Sequence, residues 1–440
     1  MVTQFRTALA LTCAMLVHLK GLPLIAQQIH VGEPVVVAQA AYQHFFVEPF
    51  LAVHPSRPDY LLAAAMQEAP GASFEERVSR QICATFLSVD AGATWRRHDF
   101  PLSRCFDPWI AITANGHALV SLFGRHPTLD EGLFVFHSLD GGQTWDDGPV
   151  RLGGGYDHET IVEDRGSSER ASSLYLLSWR SIHSGAGKRW AIVVLRSLDG
   201  GKSFAESTYV VPNNLVNLSE LPVVLSDGTL LVSFVEGARI AEQERLERFT
   251  RRRAWVLRST DASRTFSPPL FVTDTCGAPP GFQLSAFAAD TATGRFRDRL
   301  YFVCSALGRG PNVLTASGDR GETWSAPVAV PPALVPADSE ARRVLGLAVN
   351  NRGVLAVAHL DRVAAAGDSC QSLYFVASLD GGHTFLPAER ISSAPCASFG
   401  DYFGMVATPD GRFRLLWPEV HGGVSQLRTV TVEVESRDRP

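Results

Sequence analysis

One octapeptide, of the form S-x-D-x-G-x-[ST]-[WF], constrains this chain more than any other feature because it recurs at near-regular spacing. "SVDAGATW" starts at Ser88, "SLDGGQTW" at Ser138 and "SLDGGKSF" at Ser197; "STDASRTF" follows at Ser259, "SGDRGETW" at Ser317 and "SLDGGHTF" at Ser378. Their third residues, Asp90, Asp140, Asp199, Asp261, Asp319 and Asp380, lie 50 to 62 residues apart. A period of that size marks one supersecondary unit copied in space.

The hydrophobic pattern around the octapeptide repeats as well. Two apolar runs precede it, as in "WIAITANGHALVSLFG", then a third such as "GLFVFHS", and a shorter run such as "GPVRLG" follows. Short alternating runs broken by Gly, Asn and Asp indicate antiparallel strands. Each unit is therefore expected to hold four strands, a to d, with the octapeptide as the hairpin from c to d. In such a turn the Asp carboxylate accepts backbone N–H bonds and Gly supplies the positive φ. The terminal Trp or Phe covers the hairpin with apolar area. The six aspartates read as fold devices, not catalytic groups. In the fourth copy Ser263 replaces the Gly, so that turn is expected to be the least regular.

The two ends of the pattern complement each other. Beyond Asp380, "DYFGMVATPDGRFRLLWPEVHGGVSQLRTVTVEV" offers strands a, b and c without d, whereas "GEPVVVAQ" (Gly32 to Gln39) reads as a d strand with no a, b or c before it. The expected fold is all-β: a seven-bladed β-propeller of four-stranded antiparallel blades, its N-terminal strand closing the last blade, with six blades as the runner-up count. A solenoid would need capping units instead of two complementary fragments.

The 440 residues divide into an expected signal peptide at 1–26 and one propeller domain at 27–440. Arg6, the apolar run from Ala8 to Leu16, and Ala26 before Gln27 and Gln28 suit a secretory leader, although His18 and Lys20 interrupt its second half. No run of about 20 apolar residues exists to span a membrane. A net charge of −5 argues against nucleic acid as a partner. Seven cysteines are present, and Cys13 lies in the leader. Cys83 and Cys105 flank Asp90 much as Cys370 and Cys396 flank Asp380, which predicts a disulfide within each pair and leaves Cys276 with Cys304 as a third. That usage fits a secreted or periplasmic protein. No C-x-x-C spacing or calcium-loop motif occurs, so neither metal nor cofactor is expected, and the chain is expected to act as a monomer.

The six octapeptides resemble the Asp-box, or bacterial neuraminidase repeat, of the sialidase superfamily. The resemblance implies a propeller that acts on a glycan or glycoprotein, either as an exo-α-sialidase-like glycoside hydrolase or as a non-catalytic binder. Sialidases hold a substrate carboxylate with three arginines and pair a Tyr nucleophile with a Glu, beside an Asp acid/base. The early [FY]-R-I-P motif of that family is missing here; "FFVEPFLAVHP" places Glu48 where a cation would stand. On the face opposite the octapeptides, Tyr402 with Glu220 is the expected nucleophile pair and Asp157 or Glu159 the acid/base. Arg180 and Arg362 are the expected anion holders, with Arg125, Asp107 and Glu48 as further substrate contacts. His158, Gln283, Arg342, Arg343, Asp401, Glu236, Asp361 and Glu419 share that face without an assigned role.

Overall fold

The run Leu61-Leu62-Ala63-Ala64-Ala65-Met66 is apolar without alternation, so a strand built from it must be covered on both faces. The computed structural model describes residues 28–165, 173–184, 187–210, 218–219, 222–235, 252–277, 285–305, 310–331, 343–362, 371–392 and 402–435. In it, Leu61, Ala63 and Ala65 pack with Phe46, Leu416 and Leu427, while Leu62, Ala64 and Met66 pack with Ile110, Val120 and Phe134. Alternate side chains of one strand thus serve two different neighbouring sheets.

Seven antiparallel sheets repeat this arrangement in a ring, a seven-bladed propeller. Blade 1 runs Phe45–His54 (a), Arg57–Glu68 (b), Ile82–Ser88 (c) and Arg96–Asp99 (d). Blade 2 follows with Ser103–Ile112, Ala118–Arg125, Gly132–Ser138 and Val150–Gly153, and blade 3 with Tyr156–Glu163, Leu174–Ser184, Gly187–Ser197 and Ala205–Val210. In blade 7, strands a to c are Gly404–Ala407, Phe413–His421 and Val424–Val434. Ile29–Val31 and Val35–Gln39 both pair antiparallel with Val424–Val434, so the N-terminal segment supplies the outer strand of the last blade. Arg428 ties the two ends further, donating to the Pro34 carbonyl while it faces the fully buried Glu419 at 3.7 Å. Among the described residues the core consists of seven apolar clusters, one at each seam between adjacent blades.

The octapeptides form the c-to-d turns. In all six the residue at the seventh place, Thr94, Thr144, Ser203, Thr265, Thr323 or Thr384, donates its N–H to the Asp carboxylate at 2.9 Å and its hydroxyl to the other oxygen. The leading Ser bridges Asp to the backbone N–H at the fifth place, as in Gly142 N–H to Ser138 Oγ at 2.7 Å. The Thr94 hydroxyl and N–H, with Ser88, hold Asp90 at about 2, and Asp140, Asp199 and Asp261 sit at about 2 because equivalent hydrogen bonds outweigh their partial burial.

The fourth turn departs from expectation: it is as regular as the others. Ala262 and Ser263 both take the left-handed conformation, φ 58° and 62°, and every hydrogen bond of the motif is kept. The side-chain network imposes the geometry, and Ser263 holds it with strain that Gly would not carry. At other blades the fifth-place Gly is also required by the seam: a Cβ on Gly201 would lie 2.5 Å from Leu119 Cδ2 of the preceding blade, and one on Gly382 2.5 Å from Leu314 Cδ2.

Two of the expected disulfides are present. Cys83–Cys105 joins strand c of blade 1 to strand a of blade 2, and Cys276–Cys304 joins blades 4 and 5, with Cα separations of 5.7 and 5.6 Å. Cys370 and Cys396 lie outside the described residues. Among the described residues no helix is long and apolar enough to cross a membrane.

Two outcomes follow from the turns. Ser263→Gly relieves the left-handed strain and deletes a buried hydroxyl that has no partner among the described residues; denaturation should show a gain of about 1–2 kcal/mol. Because the turn aspartates titrate below their unfolded values, their contribution is present above about pH 4 and is lost as pH falls toward about 2, so a urea-midpoint series should decline across that window.

Candidate functional site

Each inner strand of blades 1 to 3 is interrupted at the same place. Pairing between strands a and b shifts register between Val47 and Phe50 in blade 1, between Phe106 and Trp109 in blade 2, and between Asp157 and Thr160 in blade 3. The cause is written in the first two as Pro49 and Pro108, which have no N–H to give a ladder. The residues that begin the three bulges, Glu48, Asp107 and His158, all have positive φ, at 51°, 50° and 56°. Non-glycine residues held there carry strain, and such strain collects at functional sites. The bulges lie in the early halves of the strands, on the side away from the octapeptide turns.

A bulge leaves an N–H without a ladder partner, and each blade supplies one for the next. Glu48 Oε2 accepts the Asp107 N–H at 2.8 Å, and Asp107 Oδ2 accepts the His158 N–H at 3.3 Å. Tyr402, which precedes strand a of blade 7, completes the cluster. Its hydroxyl donates to Asp107 Oδ1 at 2.7 Å and lies 2.7 Å from His158 Nδ1, with the two rings stacked at 4.8 Å and 8° between planes. A phenol has one proton, so with that proton given to an ionised Asp107 the imidazole Nδ1 must donate to the same oxygen. Burial, then the charges of Asp107 and Glu48, push the Tyr402 phenol well above its ordinary value, so it keeps its proton at neutral pH.

Glu159 follows His158 and is 1% exposed, with neither carboxyl oxygen hydrogen-bonded among the described residues. Burial, then Asp107, raises it well above a normal glutamate. Asp157 is exposed, and Ser178 fixes its backbone N–H and carbonyl. The structure thus brings Tyr402, Asp107, Glu48 and Glu159 together with His158, to which sequence reasoning assigned no role. The signal for His158 was available: "VEPF", "FDPW" and "DHET" align at the three bulges, with Glu48, Asp107 and His158 equivalent.

The arginines are placed differently. Arg180 Nη1 donates to both Glu206 oxygens, at 3.0 and 2.9 Å, and its guanidinium lies 5.2 Å from the Tyr156 ring centroid. Arg125 pairs with Glu131 at 3.2 Å. Glu419 and Asp361 are fully buried, the former beside Trp417, His421 and Arg428. Arg343 opens strand a of blade 6 and Arg362 ends strand b of that blade, but the Arg362 side chain, with Glu220, Glu236, Gln283, Arg342 and Asp401, lies outside the described residues. Among the described residues no three His, Cys, Asp or Glu side chains could hold a metal ion.

No protein-family model matches the chain, and no curated protein matches it. Solved structures share its fold. A protein of unknown function from Dyadobacter fermentans superposes with a TM-score of 0.54 at 14% identity, over 92% of this chain and 99% of that one. An ulvan lyase, representing a new family of polysaccharide lyase, gives 0.53 at 13% identity over 88% and 95%. The NanB sialidase of Streptococcus pneumoniae gives 0.47 at 13% identity over 91% and 70%.

Removing the Asp107 charge should bring the Tyr402 phenol down. In Asp107→Asn, the alkaline rise in tyrosinate absorbance assigned to Tyr402 by difference from Tyr402→Phe should occur at lower pH than in the parent protein. An unchanged titration would contradict the coupling.

Proposed function

We propose that this chain is a glycan-cleaving propeller enzyme in which Tyr402 is the proton-transfer residue. The observation that carries the reading is the double hydrogen bond at the Tyr402 hydroxyl, made to Asp107 and to His158 from two other blades. A group held in two directions is already oriented for transfer. In this reading the glycosidic C–O bond is hydrolysed: Tyr402 O–H gives its proton to the leaving oxygen, water adds its oxygen to the glycosyl carbon and releases a proton to solvent, and the phenolate, stabilised by the His158 Nδ1–H, is reprotonated from solvent. Asp107 orients the phenol. Its negative charge also keeps Tyr402 protonated between turnovers. The fold it shares with an ulvan lyase supports a glycan as substrate class, although fold alone does not fix chemistry.

A second reading, a propeller that binds a glycan without cleaving it, draws on one observation. Arg180, an expected anion holder, and Arg125, an expected substrate contact, are engaged by Glu206 and Glu131.

A panel comprising a fluorogenic sialoside, neutral glycosides and uronate-containing polysaccharides separates the two. Turnover of one member is expected, and Tyr402→Phe should lower kcat/KM by about 100-fold or more while the protein melts as before. Turnover that survives Tyr402→Phe within a few-fold sinks the proposed role. Binding without turnover selects the second reading.

A further inference from the structure

The three equivalent bulges differ at one position. Where blades 1 and 2 bury Pro49 and Pro108 behind Glu48 and Asp107, blade 3 buries Glu159 behind His158. A carboxyl group has taken a slot that the fold fills elsewhere with an apolar ring, and it does so with no hydrogen bond to either oxygen among the described residues. A buried polar group left this way is destabilising. Fold requirements do not explain it, since proline serves the same bulge twice.

The groups around Glu159 indicate what it does. Asp157 and His158 precede it on its own strand, His158 is bonded to Asp107 of blade 2 and to Tyr402 before blade 7, and the charges of Asp107, Asp157 and Glu48 act on it. On strand b of its own blade the partners across the bulge are Trp179 and Leu177, which are uncharged. Carboxyl groups crowded into one site cannot all ionise, and the proton stays on the one least able to be solvated. Asp107 accepts hydrogen bonds from Tyr402 and from the His158 N–H, which favour its ionised form; Glu159 accepts none among the described residues.

We propose that Glu159 is a positioning residue: it holds a proton behind the blade 3 bulge so that Asp107 is the carboxylate that ionises and orients Tyr402. This deepens the preceding reading and rests on it only where turnover is concerned. On ionisation the proton leaves to solvent, and the charge that appears is felt by Asp107 and Tyr402.

Two measurements on the full chain test it without any substrate. The first compares thermal melts of the parent and Glu159→Gln from about pH 4 to about pH 8. Native Glu159 keeps its proton where the unfolded chain has released it, above about pH 4.3, so the parent loses stability with rising pH by a route the variant lacks. The melting temperature of the variant relative to the parent should therefore climb as pH rises, and Glu159→Leu, an apolar filler of the same slot, should show the same climb. A difference that stays constant with pH in both variants overturns the proposal.

The second follows Tyr402 ionisation by difference absorbance against Tyr402→Phe. In Glu159→Gln it should move to lower pH, because the charge that Glu159 carries in alkali is gone; no movement overturns the link to Tyr402. If the glycan panel shows no turnover while both measurements behave as expected, the enzymatic reading fails and the proton-holding role stands.

Discussion

Burial of both faces of every sheet is the constraint on which this structure depends. A strand such as Arg57–Glu68 sends alternate side chains into two different seams, so no blade can bury its apolar surface with only one neighbour in place. An open row of such sheets would leave a hydrophobic face bare at each end. Closing the ring removes both, and backbone hydrogen bonds from Ile29–Val31 and Val35–Gln39 to Val424–Val434 make that closure, so that the last sheet contains both ends of the described chain. Arg428, which faces the fully buried Glu419 on the neighbouring strand of the same blade, adds a polar clasp by donating to the Pro34 carbonyl of the N-terminal segment.

The parts of the molecule that were legible in sequence are those that repeat. The octapeptide is complete within eight residues because every hydrogen bond of its turn lies within four positions of its Asp, so local spelling suffices. The blade count and the closure follow from where the repeats start and stop, Cys83–Cys105 from its place around Asp90, and Cys276–Cys304 from being the pair left over. The Ser263 turn misled for the same reason: residue preference at one position was read alone, whereas Ser259, Asp261 and Thr265 hold the backbone there regardless. The site was only half legible. Tyr402, Asp107 and Glu159 were assigned from strand order to the face opposite the octapeptides, but the bond between Tyr402 and Asp107 spans 295 positions and belongs to no repeat. Glu48 illustrates the limit further. Read in sequence as a missing cation, it stands in the structure as the acceptor for an N–H that a proline-induced bulge sets loose in the next blade.

The two faces of the ring use the same residue types to opposite ends. On the turn face, Asp90, Asp140, Asp199 and Asp261 gather donors that hold them at about 2, and Asp319 and Asp380 are lowered by the same bonds, which bind each hairpin together. On the opposite face, Glu159 and Tyr402 are buried near carboxylate charges and keep their protons. The difference is one of partners, since a carboxylate surrounded by N–H and O–H groups is stabilised while one surrounded by carboxylates is not. The first arrangement is repeated six times and is insensitive to which blade carries it. The second occurs once among the described residues, where the repeat has been broken.

Broken repetition is itself informative in a molecule of this kind. Seven blades built on one plan provide an internal standard, and each departure can be weighed against what its sister positions show the fold to require. Proline at two bulges demonstrates that the slot behind Glu48, Asp107 and His158 needs volume and tolerates the absence of an N–H; it demonstrates no need for a charge. A histidine in place of a carboxylate, followed by a glutamate in place of a proline, therefore changes the chemistry of blade 3 without improving its packing. Both changes meet at Tyr402, the one described side chain that bonds to residues of blades 2 and 3 from the far end of the chain. Stability gives no account of that convergence, because an unpartnered buried acid works against folding. A packing preference does not account for an acid in a slot that proline fills in the two preceding blades.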